Sequence, residues 1–406
     1  MKEIKIGVIG LGGRGCGNLS TILNVEGVLP IAVCDLYEDR CDKGAETVKE
    51  KTGFDVFKTT DYKEILSMDD VEAVMIFTSW ETHIPIAIDA LKSKKAVAME
   101  VGGAQSVEEC FELVKAYEEN NVPFMLLENC CYNKTELMVL KMVRDGIFGE
   151  IVHCHGAYAH DLRCEISHGK ENRHYRLNHY MNNNCENYPT HDLGPIAKIL
   201  DINRGNRLVR LVSMASKSAG LKQYIKDQGD KFENKDLIGK EFAQGDIVET
   251  LITCANGETI SLRLDTTLPR SYSREFTVRG TKGMYEENTN SVFIDGDEED
   301  FQTVLHYRKV IDNAMRYEAK YLSENWKGLT KEMEEMGHGG MDYFEFVDFF
   351  DRLRSNKPMA VDVYDAAAWM SVSALSKQSI DGGNIPVEIP DFTNGKWKTR
   401  ERFDII

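Results

Sequence analysis

The stretch KIGVIGLGGRG, residues 5–15, decides the fold of the first part of this chain. Its apolar run Lys5–Ile9 is typical of a short β-strand. Gly10, Gly12 and Gly15 follow in G-x-G-x-x-G spacing and open a helical pattern. In this arrangement the first glycine permits a tight turn, the second lets a pyrophosphate approach the backbone, and the third lets the helix pack on the strand. The stretch therefore predicts half of a dinucleotide site.

A second apolar run, Ile31–Cys34, ends in Asp35, about 20 residues after the glycines, as the dinucleotide fingerprint requires. A carboxylate at this place accepts hydrogen bonds from the adenosine ribose hydroxyls and repels a 2′-phosphate. We therefore predict that the cofactor is NAD and not NADP.

Strand and helix patterns alternate as far as residue 129. This rhythm predicts an α/β fold with a doubly wound parallel sheet and a ligand at its carboxyl edge. The predicted elements after Asp35 are the strand Val71–Thr78, the helix Ile84–Leu91, the strand Ala96–Glu100, the helix Val107–Asn120 and the strand Pro123–Leu127.

Beyond residue 129, strand patterns dominate and indicate an α+β domain with a large, mostly antiparallel sheet. We predict an NAD-binding domain at 1–129 and a substrate-binding domain at 130–406, whose C-terminal helices could pack back on the first. The predicted elements are the helices Thr135–Asp145, Gly340–Arg354 and Val363–Ser379, and the strands Glu150–Ala159, Leu208–Met214, Ile247–Cys254, Thr259–Thr266, Glu275–Arg279 and Ser291–Ile294.

The composition of the chain indicates which kinds of binding partner are excluded. The net charge of −17 argues against nucleic acid and anionic membrane, both of which favour a basic face. We find no export signal and no apolar segment long enough to span a bilayer, and the ten cysteines form no C-x-x-C pair. We expect a cytoplasmic protein with reduced thiols and a small-molecule substrate.

Polar residues follow the predicted strands of the first domain. They are Thr78–His83, then Glu100 and Val101, then Glu128 and Asn129. Because the carboxyl ends of parallel strands lie at one edge of a sheet, we expect them to form the wall beside the nicotinamide.

Seven of the ten histidines lie between His153 and His191, which raises the question of a metal site. Their spacings match no compact zinc signature, so we predict no metal and favour a polar substrate cleft lined by the second domain. Within this segment, Pro189 suits the first position of a helix. Tyr188 and His191, three residues apart, can then reach one ligand, and histidine is the usual proton-transfer group near neutral pH.

Together these motifs resemble the Gfo/Idh/MocA oxidoreductase family across essentially the whole chain. The usual Glu-Lys-Pro of that family reads Glu100-Val101-Gly102 here, and its Asp-x-Gly-x-His reads Asn187-Tyr188-Pro189-Thr190-His191. The missing lysine argues against simple alcohol dehydrogenation.

Both departures are features of a branch of the family that this chain closely resembles. This branch comprises the NAD-dependent glycosidases of glycoside hydrolase family 109, the α-N-acetylgalactosaminidases. The segments that carry this resemblance include Trp80–His83, Tyr158–Arg163, Tyr175–Leu177, Tyr188–His191, Ile202–Gly205, Tyr272–Arg274 and His338–Asp342. Asp192, where glycine is expected, and the Asn182–Asn184 run are local differences that could change the accepted sugar or linkage.

The resemblance implies a role for individual residues. It implies NAD contacts from Gly13, Arg14, Asp35, Trp80, Glu81, Thr82, His83, Glu100, Val101, Asn129 and Tyr188. It implies sugar contacts from Tyr158, Arg176, Tyr188, Pro189, Thr190, His191 and Tyr272. As candidate catalytic groups we take His191, Tyr188 and Tyr158.

The resemblance also implies hydrolysis with a recycled cofactor: C3 oxidation of the sugar, elimination across C1 and C2, water addition and re-reduction. Two alternatives stay open. One is an NAD-dependent sugar dehydrogenase with net redox turnover, and the other is a non-catalytic NAD- or sugar-sensing protein. By the same resemblance we expect a homodimer or homotetramer.

Overall fold

The computed structural model of this chain describes residues 2–231, 235–296 and 311–405. It divides into two compact units. The first comprises residues 1–133 and 325–367, and the second comprises residues 134–324 and 368–404. The sequence predicted a single boundary, after residue 129, with all later residues in the second domain. In the structure the first unit also contains residues 325–367.

The first unit is built on a parallel sheet. Its strands are β1 (Ile4–Ile9), β2 (Val28–Cys34), β3 (Phe57–Thr59), β4 (Ala73–Ile76), β5 (Ala96–Glu100) and β6 (Phe124–Leu127). They pair in the order β3-β2-β1-β4-β5-β6, which is the doubly wound order with its switch point between β1 and β4. Strands β4 and β5 and the edge strand β6 are buried along their whole length, as a sheet covered on both faces requires.

Helices of the first unit connect these strands and cover the sheet. They are α1 (Gly13–Ile22), α2 (Glu38–Thr52), α3 (Tyr62–Leu66), α4 (Trp80–Lys92) and α5 (Val107–Asn120). The later stretch contributes α13 (Lys331–Glu334) and α14 (Met341–Ser355). On α14, Phe346 is fully buried and packs edge-on against Phe77, with ring centroids 6.3 Å apart.

The second unit contains a mixed sheet. Its strands are β7 (Ile151–Ala159), β8 (Leu208–Ala215), β9 (Ile247–Cys254), β10 (Thr259–Asp265), β11 (Thr277–Gly280), β12 (Gly283–Glu286), β13 (Ser291–Ile294) and β14 (Val387–Glu388). They pair in the order β13-β12-β11-β7-β10-β9-β8-β14. Pairing is antiparallel except between β7 and β10, where His153 lies opposite Thr259. The prediction of a large, mostly antiparallel sheet is confirmed.

The helices of the second unit are mostly short. They are α6 (Lys134–Arg144), α7 (Arg163–Ser167), α8 (Arg176–Asn182), α9 (Thr190–Ile199), α10 (Gly220–Gln228) and α11 (Met315–Tyr321). Two further helices, α12 (Glu324–Lys327) and α15 (Val363–Asp381), cross the boundaries between the units. Helix α9 packs on β7 so closely that a Cβ atom at Gly156 would lie 2.5 Å from the carbonyl oxygen of Asp192.

Some predicted bounds were wrong. Helix α4 begins at Trp80, four residues before the predicted start at Ile84. The first turn of α4 is polar and gives no apolar stripe for the sequence pattern to detect. No helix within residues 2–231, 235–296 and 311–405 is both long and apolar enough to cross a lipid bilayer.

Candidate functional site

The glycine turn of the first unit has the geometry that the fingerprint predicts. Gly10 has φ +95°, and a Cβ atom there would lie 2.5 Å from the carbonyl carbon of Phe77. A Cβ atom at Gly15 would lie 2.0 Å from the carbonyl oxygen of Gly10. Both positions therefore exclude any side chain, so the turn can form only with glycine.

The opposite side of this turn is open. A Cβ atom at Gly13 would meet no atom within 4 Å, and one at Gly12 would meet only the Arg40 guanidinium, at 3.7 Å. Helix α1 begins at Gly13, so its free backbone N–H groups and positive dipole end lie beside this space. The residues present therefore fit the pyrophosphate of a dinucleotide.

Asp35 follows β2 and is held by backbone donors. Its Oδ2 accepts the N–H of Leu11 at 2.7 Å, and its Oδ1 accepts the N–H of Tyr37 at 3.1 Å. The carboxylate is buried, with Arg40 Nη1 at 3.8 Å. A fixed carboxylate with remaining lone pairs can accept the ribose hydroxyls of NAD.

The predicted segment Trp80–His83 forms the first turn of α4 at the end of β4. His83 is fully buried, with Nε2 3.0 Å from the carbonyl oxygen of Thr78, and burial lowers its pKa to about 4. A Cβ atom at Gly102 would lie 2.3 Å from Cδ1 of Trp80. The indole thus occupies the space that a proline would need, which accounts for the glycine of Glu100-Val101-Gly102.

Glu100, Arg14 and Asn129, all predicted cofactor contacts, belong to one polar network. Glu100 Oε2 accepts Nε of Arg14 at 2.9 Å, and its Oε1 accepts the N–H of Val101 at 3.2 Å. Asn129 Nδ2 donates to Asp342 Oδ1 at 2.7 Å. Asp342 lies in the segment His338–Asp342 that carries the family resemblance, but the resemblance implies no role for it.

In the second unit, the three candidate catalytic residues form an aromatic cluster. Tyr158 lies near the end of β7, and Tyr188 and His191 lie around the start of α9. The ring centroids of Tyr158 and Tyr188 are 4.5 Å apart, and His191 lies 4.8 Å from Tyr188 and 5.6 Å from Tyr158. The structure thus brings together two phenols and an imidazole from segments 30 residues apart in sequence.

His160 and Tyr272 extend this cluster. His160 Nδ1 is 3.3 Å from the Tyr158 hydroxyl, and its ring meets Tyr272 edge-on at 5.1 Å. Burial and the positive charge of Arg176 lower the pKa of His160. The predicted Tyr272 therefore reaches the cluster through a histidine that the sequence analysis did not assign.

Arg176 begins α8 and supplies a positive charge to the same cluster. Its guanidinium lies over the ring of Tyr188, 5.3 Å from the centroid, and Nη1 donates to Glu165 at 2.8 Å. Burial works to lower the pKa of Arg176, but nearby Tyr158 and Glu165 raise it well above the ordinary value. A buried, permanently charged fork of donors can hold a carbonyl or hydroxyl oxygen of a ligand.

The other two residues of the Tyr188–His191 motif, Pro189 and Thr190, lie at the start of α9. Pro189 precedes the helix as its cap residue, so α9 begins at Thr190 and the predicted first helical position was wrong by one residue. Thr190 is buried, as is Asp192, the residue found where glycine was expected. His160 and Glu165 are the residues of this region that the sequence analysis missed, because only their contacts with Tyr158 and Arg176 reveal them.

Family models match both parts of the chain. The model described as "Glycosyl hydrolase 109, C-terminal domain" matches residues 132–399. The model described as "Oxidoreductase family, NAD-binding Rossmann fold" matches residues 4–127.

Named relatives match over nearly the full length. A protein of Tannerella forsythia named alpha-N-acetylgalactosaminidase is 36% identical over 98% of this chain and 88% of its own. The alpha-N-acetylgalactosaminidase of Shewanella oneidensis is 36% identical over 100% of this chain and 88% of its own. A glycosyl hydrolase family 109 protein of Solibacter usitatus is 38% identical over 98% of this chain and 90% of its own.

Solved structures share the fold at lower identity. Levoglucosan dehydrogenase in complex with NADH and levoglucosan has a TM-score of 0.70 and 18% identity, covering 96% of this chain and 100% of its own. Myo-inositol 2-dehydrogenase from Lactobacillus plantarum has a TM-score of 0.65 and 18% identity over the same shares. These likenesses support the predicted two-part α/β architecture.

Proposed function

The chain belongs to the glycosyl hydrolase 109 family, and from this premise we propose that it is an NAD-dependent glycosidase acting on α-N-acetylgalactosaminides or related hexosides. The observation that carries the proposal is the cluster of Tyr158, Tyr188 and His191 beside Arg176. Two proton-carrying residue types and one fixed cation are the groups that an oxidation and elimination on a sugar ring require. The glycosidase names of the full-length relatives support the substrate class.

The chemistry that NAD⁺ supplies when bound is a reversible hydride acceptor for C3 of the sugar, so that a C3 ketone acidifies the proton on C2. Gly12 and Gly13, in the turn that Gly10 and Gly15 allow to form, would hold its pyrophosphate, and Asp35 would hold its ribose. Loss of the C2 proton and of the protonated C1 substituent would give an enone, to which water would add as hydroxyl at C1 and hydrogen at C2. Reduction of the C3 ketone would leave the cofactor unchanged overall, so the net reaction would be hydrolysis.

Each proton needs a protein group. His191 moves the proton at the C3 hydroxyl or at C2, because neutral imidazole is the usual base near pH 7. Tyr158 and Tyr188 orient the ring and serve the remaining proton transfers. Arg176, charged at any physiological pH, holds a ring oxygen or the acetamido carbonyl.

The test is an assay of purified protein with p-nitrophenyl α-N-acetylgalactosaminide in D2O. Nitrophenol release with deuterium at C2 of the sugar, and no net NADH, is the expected result. Steady accumulation of NADH without bond cleavage would identify a sugar dehydrogenase instead. NAD binding with neither reaction on this or other hexosides would identify a sensing protein.

We also propose that the chain forms a homodimer or homotetramer. On neighbouring strands of the second unit, Met214 is 59% exposed and Leu251 is 55% exposed. Light scattering after size-exclusion chromatography should give a multiple of the 46.0 kDa protomer mass. A mass of one protomer at micromolar concentration would contradict this proposal.

A further inference from the structure

The segment from Gly337 to Asp342 begins with four consecutive residues in left-handed backbone geometry. Gly337, His338, Gly339 and Gly340 all have positive φ, at 64°, 44°, 68° and 100°. Left-handed geometry is strained for an L residue such as histidine, so contacts with the surrounding structure must hold the segment in place. The segment ends at Asp342, in the first turn of α14.

Asp342 is the anchor of this segment. Its side chain is 1% exposed, and its Oδ2 accepts Nη1 of Arg14 at 2.5 Å while its Oδ1 accepts Nη2 at 3.1 Å. The same carboxylate accepts Nδ2 of Asn129 at 2.7 Å and lies 2.9 Å from Nδ1 of His338. Burial alone would raise the pKa of Asp342, but the hydrogen bond from His338 and the charge of Arg14 hold it well below its usual range.

Arg14 is therefore held from two sides. Its Nη1 and Nη2 bind Asp342, and its Nε binds Glu100 at 2.9 Å. Asn18 steadies Glu100 with a further hydrogen bond of 3.1 Å to the same oxygen. The Arg14 side chain is nevertheless 32% exposed, so part of it stays accessible to a ligand while Asp342 does not.

We propose that Asp342 is a positioning residue for the dinucleotide, acting through Arg14 and Asn129. This inference rests on the proposed NAD site, to which the family resemblance assigns Arg14, Glu100 and Asn129. A mobile arginine side chain loses rotamer entropy when a ligand fixes it. Asp342 removes that cost beforehand, because it fixes the guanidinium in the apo protein.

The first experiment measures NAD⁺ affinity directly, by calorimetric titration of full-length protein stripped of nucleotide. Asp342→Asn keeps the size of the side chain but removes the charge that Arg14 binds. We expect its NAD⁺ dissociation constant to rise at least ten-fold. An unchanged constant in a folded D342N protein would overturn the proposal.

A matched control separates positioning from stability. Asp348 lies on the same helix, and binds Arg352 and the Tyr132 hydroxyl at 2.7 Å each. Asp348→Asn should lower the melting temperature of the apo protein and leave NAD⁺ affinity unchanged. Equal losses of NAD⁺ affinity in D342N and D348N would show a merely structural role.

Two further variants keep the test decisive if D342N does not fold. His338→Ala removes one donor from the carboxylate at an exposed position, and should weaken NAD⁺ binding about three-fold. Arg14→Gln combined with His338→Ala should lose less affinity than the sum of the two single losses, because His338 contacts the same Asp342 carboxylate that fixes Arg14. Fully additive losses would contradict the proposal.

Failure of the proposed function would look different. A wild-type chain that binds no NAD⁺ would refute the NAD site and the positioning role together. Wild-type binding with unchanged affinity in the Asp342 and His338 variants would refute the positioning role alone.

Discussion

The two units form their candidate sites in opposite ways. The first unit uses backbone: the glycine turn between Gly10 and Gly15 and the backbone donors around Asp35 create the space and the hydrogen bonds. The second unit uses side chains: Tyr158, Tyr188 and His191 contact one another ring to ring, and Arg176 lies over one of them.

This difference separates what each kind of site can tolerate. A backbone site depends on residues that must lack a side chain, so an added methyl group destroys it. A side-chain site depends on the functional groups themselves, so removing one group abolishes chemistry while the fold survives.

His191→Ala should remove chemistry but not structure. We expect kcat to fall about 1,000-fold, because a general acid or base contributes 10²–10⁴-fold to the rate. NAD⁺ affinity and melting temperature should stay close to those of the wild type. The measurement is steady-state nitrophenol release with parallel NAD⁺ titration.

The control for this variant is His153→Ala. His153 lies on β7, the strand that carries Tyr158, and its Nδ1 is 2.9 Å from the Thr259 hydroxyl. This variant should retain wild-type kcat. Comparable activity in the two variants would rule out a proton-transfer role for His191.

Gly15→Ala should act on the other kind of site. Its Cβ atom would lie 2.0 Å from the Gly10 carbonyl oxygen, so the turn must open. We expect NAD⁺ affinity to fall about 100-fold or more, measured by titration of the apo protein.

Gly17→Ala is the matched change, because a Cβ atom at Gly17, on the same helix, would meet nothing within 4 Å. It should keep NAD⁺ affinity and could stabilise the helix by up to about 1 kcal/mol. If both variants bind NAD⁺ equally well, the backbone account of this site is wrong.

Each unit contains a buried histidine that should make the free energy of unfolding depend on pH. Burial lowers the pKa of His83, in the first unit, and of His179, in the second, to about 4. The unfolded chain binds the proton with a pKa near 6.5, so this stability is present above pH 6.5 and is lost as the pH falls toward 4. Protonation of each histidine should lower the free energy of unfolding by about 2–3 kcal/mol at pH 4.5.

The measurement is urea unfolding of the apo protein at pH 7.5 and pH 4.5. His83→Gln and His179→Gln should each lose less stability than the wild type over this interval, because glutamine does not titrate. Wild-type pH dependence in either variant would show that its histidine does not drive the acid response.

Local pattern predicted the first unit well. The strand Ala96–Glu100 and the helix Val107–Asn120 were correct to the residue. The helix begins at a capping box, in which Ser106 and Glu109 satisfy each other's backbone groups, and ends at Asn121 in left-handed geometry. Such signals lie within a few residues of one another, so sequence alone contains them.

Pattern was weaker in the second unit. The short elements α7, α8, α10, β12 and β14 were not predicted, because an element of so few residues shows too little periodicity to detect. The parallel pairing of β7 with β10 was also missed, since it joins segments about 100 residues apart in sequence.

Sequence patterns were enough to predict the parallel sheet, the glycine turn, the Asp35 carboxylate and the motif from Tyr188 to His191, because each depends on neighbours in the chain. The contacts of His160 with Tyr158 and Tyr272, and those of Asp342 with Arg14 and Asn129, became visible in the folded chain alone. Those contacts come from packing and from the need to pair buried charge. Both forces act between residues that sequence spacing does not relate.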